Sequence, residues 1–343
     1  MEYVVIGSGI IGLYTALNLL ERFPHKASSI LVVAEFLPGD ESNRFTSPYA
    51  GGNFSCISGS DSATLEHDRY TYTNLKRVCD LLGGPECGLD YCYSTEYFDE
   101  MPSGPKIKSI ASYLDEYRVL APHELKGAAF GIRFRSFSFN CPVFLVNLKK
   151  YLQTKGVQFK RQKLERLEDA FGDGVEVVFN CTGLGAFSLK GVDDKAVYPV
   201  RGQVLLVKAP HITENTMRWG KDYATYLIKR PYSNDQLILG GYIHKGNWST
   251  DVLSEQTRDI LERTSELIPE LFSKNPRGPR ADDLEILRGA AGLRPGRDGG
   301  VRIEREKVYG KTVIHNYGAG GYGFQAGLGM GRDAVALLRE SRL

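Results

Sequence analysis

Two glycine runs stand near opposite ends of the chain, and each has the spacing of a backbone turn that approaches an anion. Gly7-x-Gly9-x-x-Gly12, with Ser8, Ile10 and Ile11 between the glycines, follows the apolar run Tyr3-Val4-Val5-Ile6. Ile10, Leu13, Tyr14, Leu17 and Leu20 then recur at helical spacing. In such a unit the first glycine permits the tight turn, the second lets backbone approach a pyrophosphate, and the third lets helix and strand touch. Glu35 ends the next strand about 20 residues further on, where a ribose-hydroxyl acceptor belongs. The second run, Gly320-Gly321-Tyr322-Gly323, links the strand at Thr312 to His315 with a helix that opens at Phe324 and Gln325. Each unit aims a helix N-terminus, with its free N–H groups and positive dipole end, at a ligand. One unit would suit a nicotinamide cofactor. Two point to a larger cofactor with two ends, FAD, whose pyrimidine edge the second helix would stabilise in its anionic reduced form.

Other residues offer chemistry with less sequence context. Thr182-Gly183 ends an apolar strand and is either another backbone approach to a nucleotide or an ordinary turn. Arg294, in Gly292-Leu293-Arg294-Pro295, presents a two-donor fork that suits a carboxylate, although a lone arginine is more often a surface residue. Tyr226 sits at a strand position that faces either a pocket or the core. His315 reads as a satisfied core histidine. No Ser/His/Asp triad, metal-ligand spacing or paired carboxylates stand out, so no metal is expected. The six cysteines include no CxxC pair and read as free thiols.

The elements that must position these groups alternate along the chain. Strands are expected at Val4 to Ile6, Ser29 to Ala34, Phe137 to Asn140, Gly156 to Lys160, Gly174 to Asn180 and Thr312 to His315. Helices are expected after Gly12, over Leu65–Leu82, Pro142–Leu152 and Thr250–Leu271 (capped by Asp251 or Ser254), and from the last glycine loop through Leu338. Ser58 to Ala63 reads as loop. Tyr198 to Lys208 and Thr225 to Gly241 alternate as antiparallel strands do. The fold class is therefore α/β: a Rossmann-like FAD-binding domain interleaved with an antiparallel-sheet substrate domain. The first is assigned residues 1–55, 140–190 and 285–343, and the second 56–139 and 191–284.

Composition narrows the classes further. With 43 basic and 41 acidic residues among 343, the net charge of +2 argues against nucleic acid, and no basic run suggests a membrane surface. No stretch approaches the ~18 apolar residues of a membrane helix. The first strand begins at Tyr3, which leaves no room for a signal peptide, so a soluble intracellular protein is expected. On that reading the glycosylation-like triplets at Asn53, Asn180 and Asn247 are chance matches.

In combination these motifs resemble the D-amino-acid oxidase family, and closely its yeast members. The matching blocks are Gly7 to Gly12, Val33-Ala34-Glu35-Phe36-Leu37-Pro38-Gly39-Asp40 and Thr46-Ser47-Pro48-Tyr49-Ala50-Gly51-Gly52-Asn53-Phe54. They continue through Asn180 to Gly183, Tyr198-Pro199-Val200-Arg201-Gly202-Gln203, Gly292 to Pro295 and His315 to Gly323, spanning nearly the whole chain in the family's order. The resemblance implies that Ser8, Ile11, Glu35, Arg44, Phe45, Thr46, Gly51, Gly52, Asn53, Leu164, Thr182 and the Gly320–Gln325 loop hold FAD non-covalently. It implies that Arg294 and Tyr226 bind the substrate carboxylate and that the Gly321 carbonyl accepts from the amine. One departure is Tyr49, where the family often has tryptophan. The implied reaction is hydride transfer from Cα of a D-amino acid, with an imino acid that hydrolyses and oxygen reduced to hydrogen peroxide. No protein base is required, so catalysis would rest on orientation and electrostatics.

Neutral substrates are expected over D-aspartate. By resemblance Tyr223 and Ile243 line the side-chain pocket, and D-aspartate oxidases carry arginine at the position of Ile243; the run Leu237 to Ile243 reads as one strand with Gly241 and Ile243 on one side. Against this, Arg218, read as part of a lid loop, could swing in and supply a charge, with Lys221 and His244 as weaker candidates. The last residues, Ser341-Arg342-Leu343, are an arginine variant of the Ser-Lys-Leu peroxisomal address, which adds an import receptor as partner and the peroxisome as location. A homodimer is left open. The rival readings are a glycine or sarcosine oxidase, a nicotinamide dehydrogenase, which would not use the second glycine unit, and a non-catalytic flavin-binding protein, which would not use Arg294 with Tyr226.

Overall fold

A computed structural model of the chain describes residues 1–338. The chain forms two compact units: one from Met1–Pro48, Pro142–Val200 and Arg294 onward, the other from Tyr49–Cys141 and Arg201–Leu293.

The first unit is built on a six-stranded sheet in the order Arg302–Val308, Lys311–Tyr317, Val177–Asn180, Tyr3–Ile6, Ile30–Ala34, Gln158–Arg161. All neighbours are parallel except Arg302–Val308, which pairs antiparallel with Lys311–Tyr317 at one edge. Every residue of Tyr3–Ile6 and Val177–Asn180 is buried, as continuous Val/Ile-rich runs in a parallel sheet require. The two helices that follow the glycine turns, Ile10–Arg22 and Gly323–Ala336, lie against each other. A Cβ on Gly327 would stand 2.8 Å from Ile11 Cδ1, and one on Gly331 2.9 Å from Asn18 Nδ2, so glycine lets the helices approach this closely.

The second unit carries a nine-stranded sheet whose main path runs His244–Lys245, Val197–Lys208, Gln236–Gly240, Ala224–Lys229, Asn215–Trp219, Leu89–Phe98, Phe130–Phe139, Arg118–Val119, with Glu285–Arg297 paired to Val197–Lys208. One face meets the helix Ser254–Leu267 through Leu205, Val207, Leu227, Leu237, Leu239, Ile260 and Leu267. The other presents Val204, Met217, Tyr226, Ile228 and Ile238.

Several expectations need correction. Residues 49–55 cluster with the second unit, because the Phe54 and Phe139 N–H groups bond to Phe137 and Gly52 carbonyls and Asn53 bridges Ser138. Residues 191–200 fall in the first unit and 285–293 in the second. Ser62 and Ala63 belong to the helix Ser62–Leu81, capped by the Asp61 carboxylate accepting from Thr64 N–H. Leu253 is the N-cap of Ser254–Leu267, without a side-chain cap bond; Asp251 pairs with the Ser249 hydroxyl instead. The strand expected to reach Ile243 stops at Gly240, where the Gly241 carbonyl turns to accept from Arg263 at 3.2 Å. Arg218 lies on the strand Asn215–Trp219, not in a loop. Among the described residues no helix is long and apolar enough to cross a membrane.

Candidate active site

Gly7 has φ +104, and a Cβ there would stand 2.5 Å from the Cys181 carbonyl oxygen; one on Gly12 would stand 2.0 Å from the Gly7 carbonyl. Only glycine lets this turn close on the neighbouring strand end while the helix starts at Ile10. No side chain of the N-cap residue Gly9 satisfies the first turn. Ser47 does so in part: its Oγ accepts from Ile10 N–H at 3.0 Å. Ser8 donates to the Phe36 carbonyl, which binds the turn to the end of the second strand. Phe45 is buried and stacks with Phe36, while Thr46 and Leu164 are half-buried. Glu35 is not an open acceptor: Arg44 holds both its oxygens in a bidentate pair at 2.9 Å. A ribose would have to share that carboxylate with the guanidinium.

The second glycine loop is shaped by Gly318 (φ +88) and Gly320 (φ +54), with Gly320 N–H donating to the Pro295 carbonyl at 2.8 Å. A Cβ on Gly320 would meet nothing within 4 Å, whereas one on Gly321 would stand 3.4 Å from Arg294 Cδ. Residues 27 positions apart in sequence (321 minus 294) are thus laid side by side, with open space beside Gly320. Tyr322 is the N-cap of the helix that starts at Gly323, and Phe324 and Gln325 are buried in its first turn. Two helices that start just after glycine turns on one sheet fit a dinucleotide such as FAD: Gly7 to Gly12 would hold phosphate and Gly320 to Gly323 the anionic edge of a ring.

A buried relay ends at Thr182. Its backbone N–H and its hydroxyl both point to Asn180 Oδ1, at 3.3 and 2.8 Å. The backbone donor fixes the amide orientation, so Asn180 Nδ2 donates to His315 Nδ1 at 3.1 Å. His315 Nε2 therefore carries the proton and donates to Glu306 at 2.8 Å. Burial holds the imidazole below its ordinary value despite Glu306. His315 is a structural residue of the sheet, neutral at pH 7, as its core position on the last strand suggested.

On the second unit Tyr226 is 7% exposed and its ring lies over the backbone of Gly240 and Gly241. A Cβ on Gly240 would stand 2.3 Å from Tyr226 Cζ, and one on Gly241 2.3 Å from Oη. Gly51 stands against Ile228, and Gly52 (φ +78) against Cys141 and the Phe139 carbonyl; half-buried Asn53 donates to the Phe54 carbonyl. The registers pair Met217 with Tyr226 and Arg218 with Thr225. Adjacent residues of a strand point to opposite faces, so Arg218 faces away from Tyr226. It lines a cavity of about 290 Å³ with Lys126, Tyr223, Thr225, Arg263, Glu266 and Leu267. There Asp99 takes its guanidinium at 2.9 Å and accepts from the Tyr223 hydroxyl. Ile243, past the strand end, is 49% exposed. Arg218 is thus held on a strand rather than in a loop, and Ile243 lies beyond the strand that was expected to carry it.

The sequence reading missed Ser47, Asp99 and Asn180. Asn180 stood in plain view within a glycosylation-like triplet; its place at a strand end beside Thr182 was the signal. Among the described residues no group of three or more His, Cys, Asp or Glu side chains could hold a metal.

Comparison with known proteins agrees with this geometry. Residues 2–337 match the family model described as FAD dependent oxidoreductase. The chain is 40% identical over 342 residues to a D-amino-acid oxidase of Schizosaccharomyces pombe, covering 98% of this chain and 95% of that one. It is 31% identical to a D-aspartate oxidase of Talaromyces thermophilus, covering 98% and 94%. The solved structure of a glycine oxidase from Geobacillus kaustophilus superposes with TM-score 0.74 at 16% identity over 100% of this chain and 95% of that one, which gives the fold. The chain belongs to the FAD-dependent oxidoreductase family. Within it, D-amino-acid oxidases are among the relatives it matches from end to end.

Proposed function

We propose that the protein oxidises D-amino acids, neutral ones in preference to D-aspartate, to 2-oxo acids, ammonia and hydrogen peroxide. The observation that carries this reading is the seating of Arg294 beside Gly321, which joins a carboxylate fork to the glycine loop of a flavin-type helix start. FAD, when bound, supplies the two-electron acceptor that dioxygen reoxidises. Arg294 takes the substrate carboxylate through paired N–H donors, the Tyr226 phenol donates to the same group, and the Gly321 carbonyl accepts from the amine. These contacts fix the Cα–H direction of the D-enantiomer. The neutral amine loses a hydride equivalent and a proton to become an imine, which water splits to oxo acid and ammonia. Orientation supplies the rate, so no side chain need abstract the Cα hydrogen.

Non-covalent FAD is supported by the burial of Cys56, Cys79, Cys87, Cys141 and Cys181, each with its thiol raised by desolvation. Acid should release FAD quantitatively. The preference for neutral side chains is supported by Arg218, which Asp99 occupies on the sheet face opposite Tyr226. Comparing kcat/KM for D-alanine, L-alanine and D-aspartate tests the reading: activity confined to the L-enantiomer overturns it, and an advantage for D-aspartate reverses the preference. Peroxisomal import through Ser341-Arg342-Leu343, which lies outside the described residues, and a homodimeric assembly belong to the same proposal. A tagged chain lacking that tripeptide should stay cytosolic, and sedimentation should find two chains per particle.

A further inference from the structure

Glu96 is a buried carboxylate that this reaction does not use, and the sheet ties it to Tyr226. The registers align Glu96 with Met217, Met217 with Tyr226, Tyr226 with Gly240 and Gly240 with Val204. Directly paired residues share a face, so Glu96 stands in the same transverse row and on the same face as Tyr226. It is 0% exposed. Its Oε2 accepts from the Trp219 indole N–H at 3.0 Å and from the Cys56 backbone N–H at 3.1 Å, while the neighbouring Ser55 hydroxyl is directed at Met217 Sδ at 3.6 Å. Oε1 is buried without a hydrogen-bond partner among the described residues. Trp219 in turn leans on Tyr226, with ring centroids 6.4 Å apart and planes inclined by 34°. Cys56 lies on the segment that begins with Gly51, where an added Cβ would stand 3.8 Å from the Tyr226 ring. One carboxylate oxygen therefore holds both the indole beside Tyr226 and the segment that reaches its ring.

We propose that Glu96 is a positioning residue for substrate binding: it fixes the Trp219 indole, and through it the Tyr226 ring, against the loop from Gly51 to Cys56. The inference rests on the reading in which Tyr226 receives the substrate carboxylate. A charged acceptor suits the task because hydrogen bonds to a carboxylate are about twice as strong as neutral ones. A buried ionised carboxylate with one oxygen unpaired is poor material for stability alone. Burial pushes the Glu96 carboxyl up to about 7, against the pull of the polar groups around it and of Lys106. The titratable groups around it are Cys56 on the loop, Lys106 on the helix Gly104–Ala111, Asp68 on the helix Ser62–Leu81, and Tyr113. Lys106 is itself engaged by Ser58 and Asp68 at 2.6 and 3.3 Å. Loss of the Glu96 charge weakens its hold on the indole, and Trp219 reports the change.

The chain has two tryptophans, so Trp248→Phe leaves Trp219 as the single indole of the holoenzyme. In that background Trp219 emission should change between about pH 6 and 8, and the change should be absent after Glu96→Gln. Glu96→Gln and Trp219→Phe should each raise KM for D-alanine about tenfold with kcat within about twofold, as expected for a charge-assisted bond weakened but not abolished. The double variant should be no worse than the more impaired single, because both act through one contact. An emission titration that survives Glu96→Gln overturns the proposal, even if the protein does not oxidise D-amino acids. A Glu96→Gln KM within twofold of its parent, or losses that multiply in the double variant, overturns it in an active enzyme. Should Glu96→Gln fail to fold, an unchanged KM in Trp219→Phe does so alone.

Discussion

Gly241→Ala is a steric probe of Tyr226 that leaves every polar group in place. The new methyl would lie 2.3 Å from Tyr226 Oη, 2.6 Å from Cζ and 2.8 Å from Cε1. Ordinary carbon contacts need about 3.5 Å, so the phenol end must retreat by roughly 1 Å. A displacement of that size at a substrate-orienting group costs about a hundredfold in rate, or about 3 kcal/mol of transition-state stabilisation. Gly241 is not in the left-handed region of backbone space, so the penalty falls on the tyrosine contact. The assay is kcat/KM for D-alanine alongside flavin content and thermal midpoint, with Gly104→Ala, where an added Cβ meets nothing within 4 Å, as control. The expected outcome is a loss near two orders of magnitude with flavin retained. A Gly241→Ala enzyme within threefold of its parent would refute the claim that Tyr226 must sit where it does.

Gly12→Ala should yield a protein that no longer retains FAD, since its Cβ would meet the Gly7 carbonyl oxygen at 2.0 Å; flavin absorbance per protein checks this. Arg294→Ala should lose on the order of 2–5 kcal/mol of transition-state binding, and Arg294→Lys should remain impaired because a point charge cannot replace the fork; kcat/KM for D-alanine measures both. Asp99→Asn should cost about 1 kcal/mol of stability through the partly exposed Arg218 pair and bring no D-aspartate activity, because Arg218 faces away from Tyr226; a tenfold rise in the D-aspartate to D-alanine ratio would contradict that. Glu96 gives a pH prediction whose sign is fixed by burial. Its folded carboxyl lies near 7, above the unfolded value of 4.5, so its stabilising contribution is full below 4.5 and lost as pH rises through 7. Glu96→Gln should therefore gain on its parent by up to about 3 kcal/mol between pH 4.5 and 8, read from denaturant midpoints.

Tyr3–Ile6, Ile30–Ala34 and Val177–Asn180 were legible because they are short apolar runs, and the two cofactor-type turns announce themselves in spacing. The strands Leu89–Phe98 and Glu285–Arg297 were not. The first interleaves Asp90, Ser94, Thr95 and Glu96 with aromatics, and the second carries Arg288, Gly289 and Gly292, so neither shows an unbroken apolar alternation. Their partners come from distant sequence, and cross-strand pairing rather than local propensity makes them strands. Site residues followed the same rule. Gly7, Gly9, Gly12 and Gly320 act through backbone and are visible in pattern. Arg218, Glu35 and Glu96 depend on which charge or N–H the fold brings near, and one-residue alternation decided that Arg218 points away from Tyr226.

The relay from Glu306 through His315 and Asn180 has a chemical consequence at its far end. With its hydroxyl proton and its backbone N–H both directed at Asn180 Oδ1, the Thr182 side chain turns oxygen lone pairs outward. A hydrogen-bond donor beside the strand end, such as a sugar hydroxyl, would be accommodated there, while an anionic oxygen would meet lone pairs. The polarity of this neutral side chain is set from two strands away.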